Sequence, residues 1–324
     1  MRITVDDVRA LRFDDGTPVT AASAIAPLGD GWLVAQDDST SAAWLRAGGV
    51  TAVRLLPPVE GHDRFSEAAG TKRLKPDLEV ACPAEVDGQP AVLLLGSGST
   101  ARRTRGVLVR LDDGRPVVQA GELAPLHGLV ARCLGLPDDQ LNLEGASRHG
   151  GTVRWFNRGN LAAGVRPGSV DVPLAGLVDA VLGRTDPAAV PVEQPRVYDL
   201  GEVAGVGLAV TDAVALPSGR LLLGAAARTP RTPSTTGPWW PPRWCWSTGT
   251  PCWTSPRSRR WTGAYARSRG WPCAPSTATR CTCWPWWTTT TPPGRPRHWS
   301  CTPGWAEPRA GGGSRTRTPE GTRS

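Results

Sequence analysis

The chain has 324 residues and a formal net charge of +8, a length suited to about two domains or one large all-β domain and a charge that invites nucleic acid as partner. That charge is local. Residues 1–227 hold 22 Lys and Arg against 27 Asp and Glu, a net of −5, whereas residues 228–324 hold 15 Arg against two Glu, a net of +13. An acidic N-terminal part speaks against a nucleic-acid-binding domain, and no apolar run reaches the roughly 20 residues that span a membrane.

Met1–Val5 opens as a short alternating strand without the charged-then-apolar pattern of a secretory leader. Cys82 and Cys133 are expected as reduced thiols rather than a bridge, which places the protein in the cytoplasm.

From Ala21 a module recurs. It consists of a strand of small apolar residues, a tight turn, a strongly apolar strand and then polar residues. The copies are Ala21–Trp44 (turn at Gly29-Asp30), Pro76–Ser99 (turn at Asp87-Gly88), Leu141–Asn160 (turn at Gly150-Gly151) and Leu208–Ala227 (turn at Ser218-Gly219). Between copies lie further strand pairs, such as Gly106–Leu111 with a turn at Asp113-Gly114 before Val117-Val118. Repeats of about four short strands predict an all-β fold, a β-propeller in which each blade buries its faces against its neighbours. Pro173–Leu182 departs from this pattern with near-helical apolar spacing and is read as a short helix between blades.

The layout resembles uncharacterised bacterial β-propeller proteins related to the phytase-like, or esterase-like, propeller families. The residues that carry the resemblance are Asp77-Leu78-Glu79, Gly96–Ser99, Gly106–Leu108, Asn142–Gly145, Arg158–Asn160 and Thr211–Ala213. It implies five or six blades in the intact form. It does not imply a phytate or ester substrate, because function rests on sites rather than folds.

An acidic residue recurs in the first strand of successive modules, as Glu79, Glu144 and Asp212. First strands line a propeller's channel, so these carboxylates are expected to converge near the axis and to repel one another unless a cation offsets them. Two roles stay open. Each acid caps backbone N–H groups of the next blade, or together they hold a hard cation such as Ca²⁺, which takes six to eight oxygen ligands. Asp77, Ser97, Ser99, Arg158 and Asn160 are the candidate ligand-binding residues at the channel mouth, and Arg158, with Arg102, Arg103 and Arg105, has the chemistry to grip an anion.

Other motifs fall away. Gly96–Ala101 matches a dinucleotide fingerprint, yet it leads into the strand Val107–Leu111 instead of the helix that motif needs. Ser97 and Ser99 lack a nucleophile elbow, and His62, His127 and His149 have no metal-ligand spacing. Two function classes remain: a scaffold that binds a small anionic ligand or a protein on its face, and a metal-assisted hydrolase of phosphate or carboxylic esters.

At Arg228 the composition changes. Residues 228–324 carry 12 of the 15 Trp and 6 of the 8 Cys, and they lack the aliphatic residues that fill cores. Cys281-Thr282-Cys283 has no second pair at finger spacing, and an Arg/Trp tail for RNA is the alternative reading. A reading frame that begins one base earlier gives ordinary protein instead. Every Trp and Cys codon becomes Leu, Met or Val, every Thr becomes Asp, Asn, His or Tyr, and Trp244–Ser255 becomes an apolar strand, a polar-Gly-polar turn and a second apolar strand. Residues 267–291 become a fifth copy of the module. The expected organisation is therefore an incomplete propeller over 1–227 and a frame-shifted tail over 228–324 without a stable core. Such a product would be poorly soluble and inactive.

Overall fold

The computed structural model describes residues 8–227 apart from 138 and 217, together with the backbone of three short strands between 243 and 264. Four antiparallel sheets follow one another along the chain as the blades of a propeller. Blade 1 is β1 (Ala22–Leu28), β2 (Gly31–Gln36), β3 (Ser41–Arg46) and β4 (Gly49–Arg54). Blade 2 is β5 (Leu78–Val86), β6 (Gln89–Gly96), β7 (Arg105–Asp112) and β8 (Arg115–Glu122). Blade 3 is β9 (Leu143–His149), β10 (Thr152–Asn157), β11 (Gly168–Pro173) and β12 (Glu193–Val197).

The fourth sheet runs β13 (Glu202–Val203), β14 (Val206–Ala215), β15 (Leu221–Ala227), β16 (Arg243–Trp246), β17 (Cys252–Thr254) and β18 (Thr262–Ala264). The frame-shifted, core-less tail expected over 228–324 otherwise lies outside the described residues, as does the fifth module.

The apolar second strands owe their composition to burial on both faces. On β6, Leu93 and Leu95 enter the core shared with blade 3, while Val92 and Leu94 enter the core shared with blade 1. On β10, Trp155 faces the blade 2 side and Phe156 the blade 4 side. Strands buried on both faces show apolar runs instead of alternation. The expected turns at Asp87-Gly88 and Asp113-Gly114 have positive φ at both residues (50° and 75°, 47° and 72°), the two-residue hairpin turn that matches strand twist.

The expected helix between blades is α2 (Leu174–Val181); a second, α1 (Ala124–Cys133), stands after blade 2. Both fill the wedge between blades 2 and 3, with Leu126, Val130, Leu177 and Val181 in that core. Cys82 and Cys133 are free thiols. No described helix is long and apolar enough to cross a membrane.

The inner strands lie side by side, β1 on β5, β5 on β9 and β9 on β14. One backbone bond repeats across each seam: Asp77 N–H to Asp37 C=O (3.2 Å), Leu143 N–H to Ser97 C=O (2.8 Å) and Val210 N–H to Arg158 C=O (3.0 Å). Each acceptor directly follows the second strand of one blade, and the donors lie just before, at the start of, or within the inner strand of the next (Asp77, Leu143 and Val210), which brings polar residues from three seams to one end of the channel.

Candidate functional site

Each inner strand carries a register shift, near its start over Ser23 in β1, Glu79 in β5 and Glu144 in β9, and mid-strand over Thr211 in β14. A bulge inserts one unpaired residue and re-aims its side chain. Glu79 and Glu144 therefore occupy equivalent bulged positions. Asp212 does not; Thr211 holds that place in blade 4, and Asp212 follows it by one residue.

The offset still leaves Asp212 beside Glu144, because Gly145 lets the strands close up. A Cβ at Gly145 would lie 2.9 Å from Ala213 N and 3.1 Å from Asp212 Cα.

The charges in the channel are unevenly matched. Glu144 Oε1 accepts from Arg158 Nη1 (2.6 Å) and from Asn142 Nδ2 (2.8 Å). Asp77, with a left-handed backbone (φ 56°), is 4% exposed at its side chain. Its Oδ2 accepts from Ser97 Oγ (2.5 Å) and Arg103 Nη1 (3.0 Å), while its Oδ1 pairs with Lys75. Lys75 also pairs with Asp37. Burial works against the charge on Asp77, but Lys75 and Arg103 outweigh it and hold its carboxyl below the usual range.

Glu79 and Asp212 have no such partner among the described residues. Burial, then the like charges of Glu144, Asp77 and Asp37, push the Glu79 carboxyl well above its ordinary range. Burial raises Asp212 to about 7, with Glu144 adding to it, against one bond from Ala213 N–H (2.7 Å).

Glu144 thus stands within electrostatic reach of both Glu79 and Asp212, but among the described residues the carboxylates that share a metal-sized spacing are Asp37, Asp77 and Glu79 rather than the expected Glu79, Glu144 and Asp212; Ser97, Ser99, Lys75 and Arg103 surround Asp77, and Arg158 pairs with Glu144. Ser99 Oγ reaches Ser97 Oγ (2.8 Å) and receives Arg103 Nη1 (2.9 Å). Asn160 is not part of this group; it is exposed and its amide meets Gln140 (3.1 Å). The arginines read as an anion grip are each paired with an acid: Arg102 near Glu60 (3.8 Å), Arg103 on Asp77, Arg105 on Glu122 (3.2 Å) and Arg158 on Glu144.

His127 is buried, its ring nitrogens at Leu123 C=O (3.0 Å) and Gly96 C=O (3.2 Å), and neither faces a serine hydroxyl. A separate cavity of about 330 Å³, lined by Phe13, Asp15, Arg54 and Arg64 among others, lies on blade 1 and contains none of the channel carboxylates.

A family model matches residues 71–238, more than half of the chain and every channel residue except Asp37. The chain belongs to the family of unknown function DUF6910. No curated protein matches it. Among solved structures it is similar to virginiamycin B lyase from Staphylococcus aureus, at 12% identity and a TM-score of 0.32, over 76% of this chain and 70% of that one.

Proposed function

We propose that this protein is a ligand-binding propeller whose channel mouth recognises a cation through Glu79, Glu144 and Asp212. The observation that carries the reading is the uneven pairing of charge. Lys75, Arg103 and Arg158 pair directly with Asp37, Asp77 and Glu144, while Glu79, which feels Lys75 only at a distance, and Asp212 have no ion-pair partner among the described residues. Every arginine at the mouth is engaged, so an anionic ligand would have to compete with a carboxylate for its donor. A hard divalent ion such as Ca²⁺ suits the donor set, because three carboxylates supply the oxygens it prefers.

The test is thermal melting of the full-length chain with calcium and with chelator. Calcium raises the Tm, and Glu144→Gln or Asp212→Asn removes the rise. A melting curve that calcium leaves unchanged contradicts the assignment.

The alternative is a metal-assisted hydrolase of phosphate or carboxylic esters. It is favoured by Asp212, whose carboxyl at about 7 is suited to take a proton at neutral pH. The phytase-like, or esterase-like, resemblance bears on fold and adds nothing to this chemistry. Binding is the better supported reading, since Ser97 Oγ is tied to Asp77 and both His127 nitrogens meet backbone carbonyls. Turnover of a p-nitrophenyl ester or phosphate that Asp212→Asn abolishes would favour the hydrolase.

The same proposal treats residues 228–324 as read out of frame, with the intact form closing through five or six blades. What supports it is the change of composition at Arg228, with 12 of the 15 Trp and 6 of the 8 Cys beyond it. Glu79, Glu144 and Asp212 all precede the change, so this chain carries the cation site. Activity that needs the closing blade is lost from it.

A further inference from the structure

We propose that the seam between blades 2 and 3 binds a resident water molecule, held by the indole of Trp155 and the side-chain amide of Asn157. Both residues are 0% exposed, and neither Trp155 Nε1–H nor Asn157 Nδ2–H has a hydrogen-bond partner among the described residues. Buried donors without an acceptor are rare in folded proteins, because each forfeits the bond it made to solvent. These two stand at alternate positions of β10, which puts both side chains on the face turned toward blade 2.

Blade 1 supplies the comparison. Gln36 and Asn157 hold equivalent places, each opposite the first residue of its inner strand, Ala22 and Leu143 respectively. Each side-chain oxygen accepts from a backbone N–H just ahead of that strand, Thr20 N–H for Gln36 (3.0 Å) and Asn142 N–H for Asn157 (2.7 Å). The side-chain nitrogens part ways. Gln36 Nε2 donates to the carbonyl of Ser41, the first residue of β3 (3.0 Å). In blade 3 that place belongs to Gly168, which opens β11 and pairs with Asn157. Asn157 is one methylene shorter than Gln36, and its Nδ2 bonds to no carbonyl of the described residues.

A water makes up the missing methylene. Its two lone pairs match the two donors, Trp155 Nε1–H and Asn157 Nδ2–H, and one of its own hydrogens serves Gly168 C=O, the counterpart of Ser41 C=O. That gives the water the roughly three bonds that a buried water makes. His127 is not the acceptor for the indole. Its ring lies edge-on to Trp155 (centroids 5.0 Å apart), but both its nitrogens already meet backbone carbonyls. Both donors are neutral and the seam core around them is apolar, so an anion in this place would be a buried charge with nothing to offset it.

The water stands behind the channel mouth. Asn157 fixes Asn142, and Asn142 Nδ2 in turn donates to Glu144 Oε1 (2.8 Å), so an amide held at 157 keeps Glu144 in place. This holds whatever Glu144 itself binds.

The test is the Overhauser effect between water and the indole N–H groups of the full-length chain carrying ¹⁵N-tryptophan. Trp155→Phe identifies the Trp155 signal by its loss, and contact with the His127 ring identifies it should that variant not fold. The expected result is a water cross-peak at the Trp155 indole with opposite signs in the laboratory and rotating frames, the mark of a water held longer than the protein tumbles. In Asn157→Gln the longer side chain reaches Gly168 C=O as Gln36 reaches Ser41 C=O, and the cross-peak is lost. A Trp155 indole without a water cross-peak overturns the proposal, as does a peak of the same sign in both frames, which reports proton exchange alone. It is equally overturned if the cross-peak persists unchanged in Asn157→Gln, because Asn157 then does not hold the water. Should Asn157→Gln not fold, the wild-type spectrum decides.

Discussion

Asp212 ties the site to a pH dependence. Its carboxyl stands near 7 in the folded chain, against 3.8 when unperturbed. Between these values the folded protein holds a proton that the unfolded chain has released. Stability therefore falls as pH rises from about 4 to about 7 and levels off above that. Asp212→Asn removes the ionisable group. In chelator the variant is expected to be more stable than the wild type at pH 8, by about 1–2 kcal/mol, and no more stable at pH 4. Urea melts at the two pH values check this, and equal differences at both would contradict it.

The acids of the channel were legible because each stands in an apolar strand that alternation makes conspicuous. Their counter-charges were not. Lys75 and Arg103 belong to connections outside the repeat, and the one local signal, a lysine two residues before Asp77, has no meaning until the turn at Asp77 is known to be left-handed. Arg158 was legible as a residue of the mouth. Its engagement with Glu144 was not, since pairing depends on a bulge that composition does not announce.

At the scale of elements, the second strands were the clearest signal, because burial on both faces writes an apolar run into the sequence. Helix α1 was hidden for a related reason. Its apolar anchors Leu126 and Val130 are one turn apart, too few for a periodic pattern, and Pro125 is tolerated only because it stands in the first turn. The bulges shift register by one residue and were the main thing the sequence could not show; they move Thr211 into the place that spacing alone gives to Asp212.

Gly145 is where this geometry is most sensitive. Gly145→Ala would force a Cβ to within 2.9 Å of the backbone of β14 and push the inner strands of blades 3 and 4 apart beside Glu144 and Asp212. The expected result is a loss of about 1–3 kcal/mol of stability together with a weaker calcium response. A variant that melts like the wild type and keeps its calcium response would show that the close approach of β9 and β14 does not organise the site.

At the scale of the molecule, three seams join four blades, and each seam has its own apolar core. Blade 1 has a second face, where Val34, Ala43 and Val50 pack under Phe13 and Val19 from the segment that precedes β1. In a closed propeller the last blade lies against this side of the first, and unclosed edges expose strands to aggregation. The proposed change of frame at Arg228 accounts for a chain that carries the start of such a ring and then departs from it in composition, with its Trp and Cys codons recoding to aliphatic residues.

The measurement that tests this account most directly is the DNA sequence of the gene across codons 224–230. The account predicts that one base is missing for the frame of the closing blades, and restoring it should yield a soluble protein whose Tm rises well above that of the present chain. A sequence that reads as given, with a full-length product whose tryptophans beyond residue 227 prove buried in a well-packed core, would contradict it.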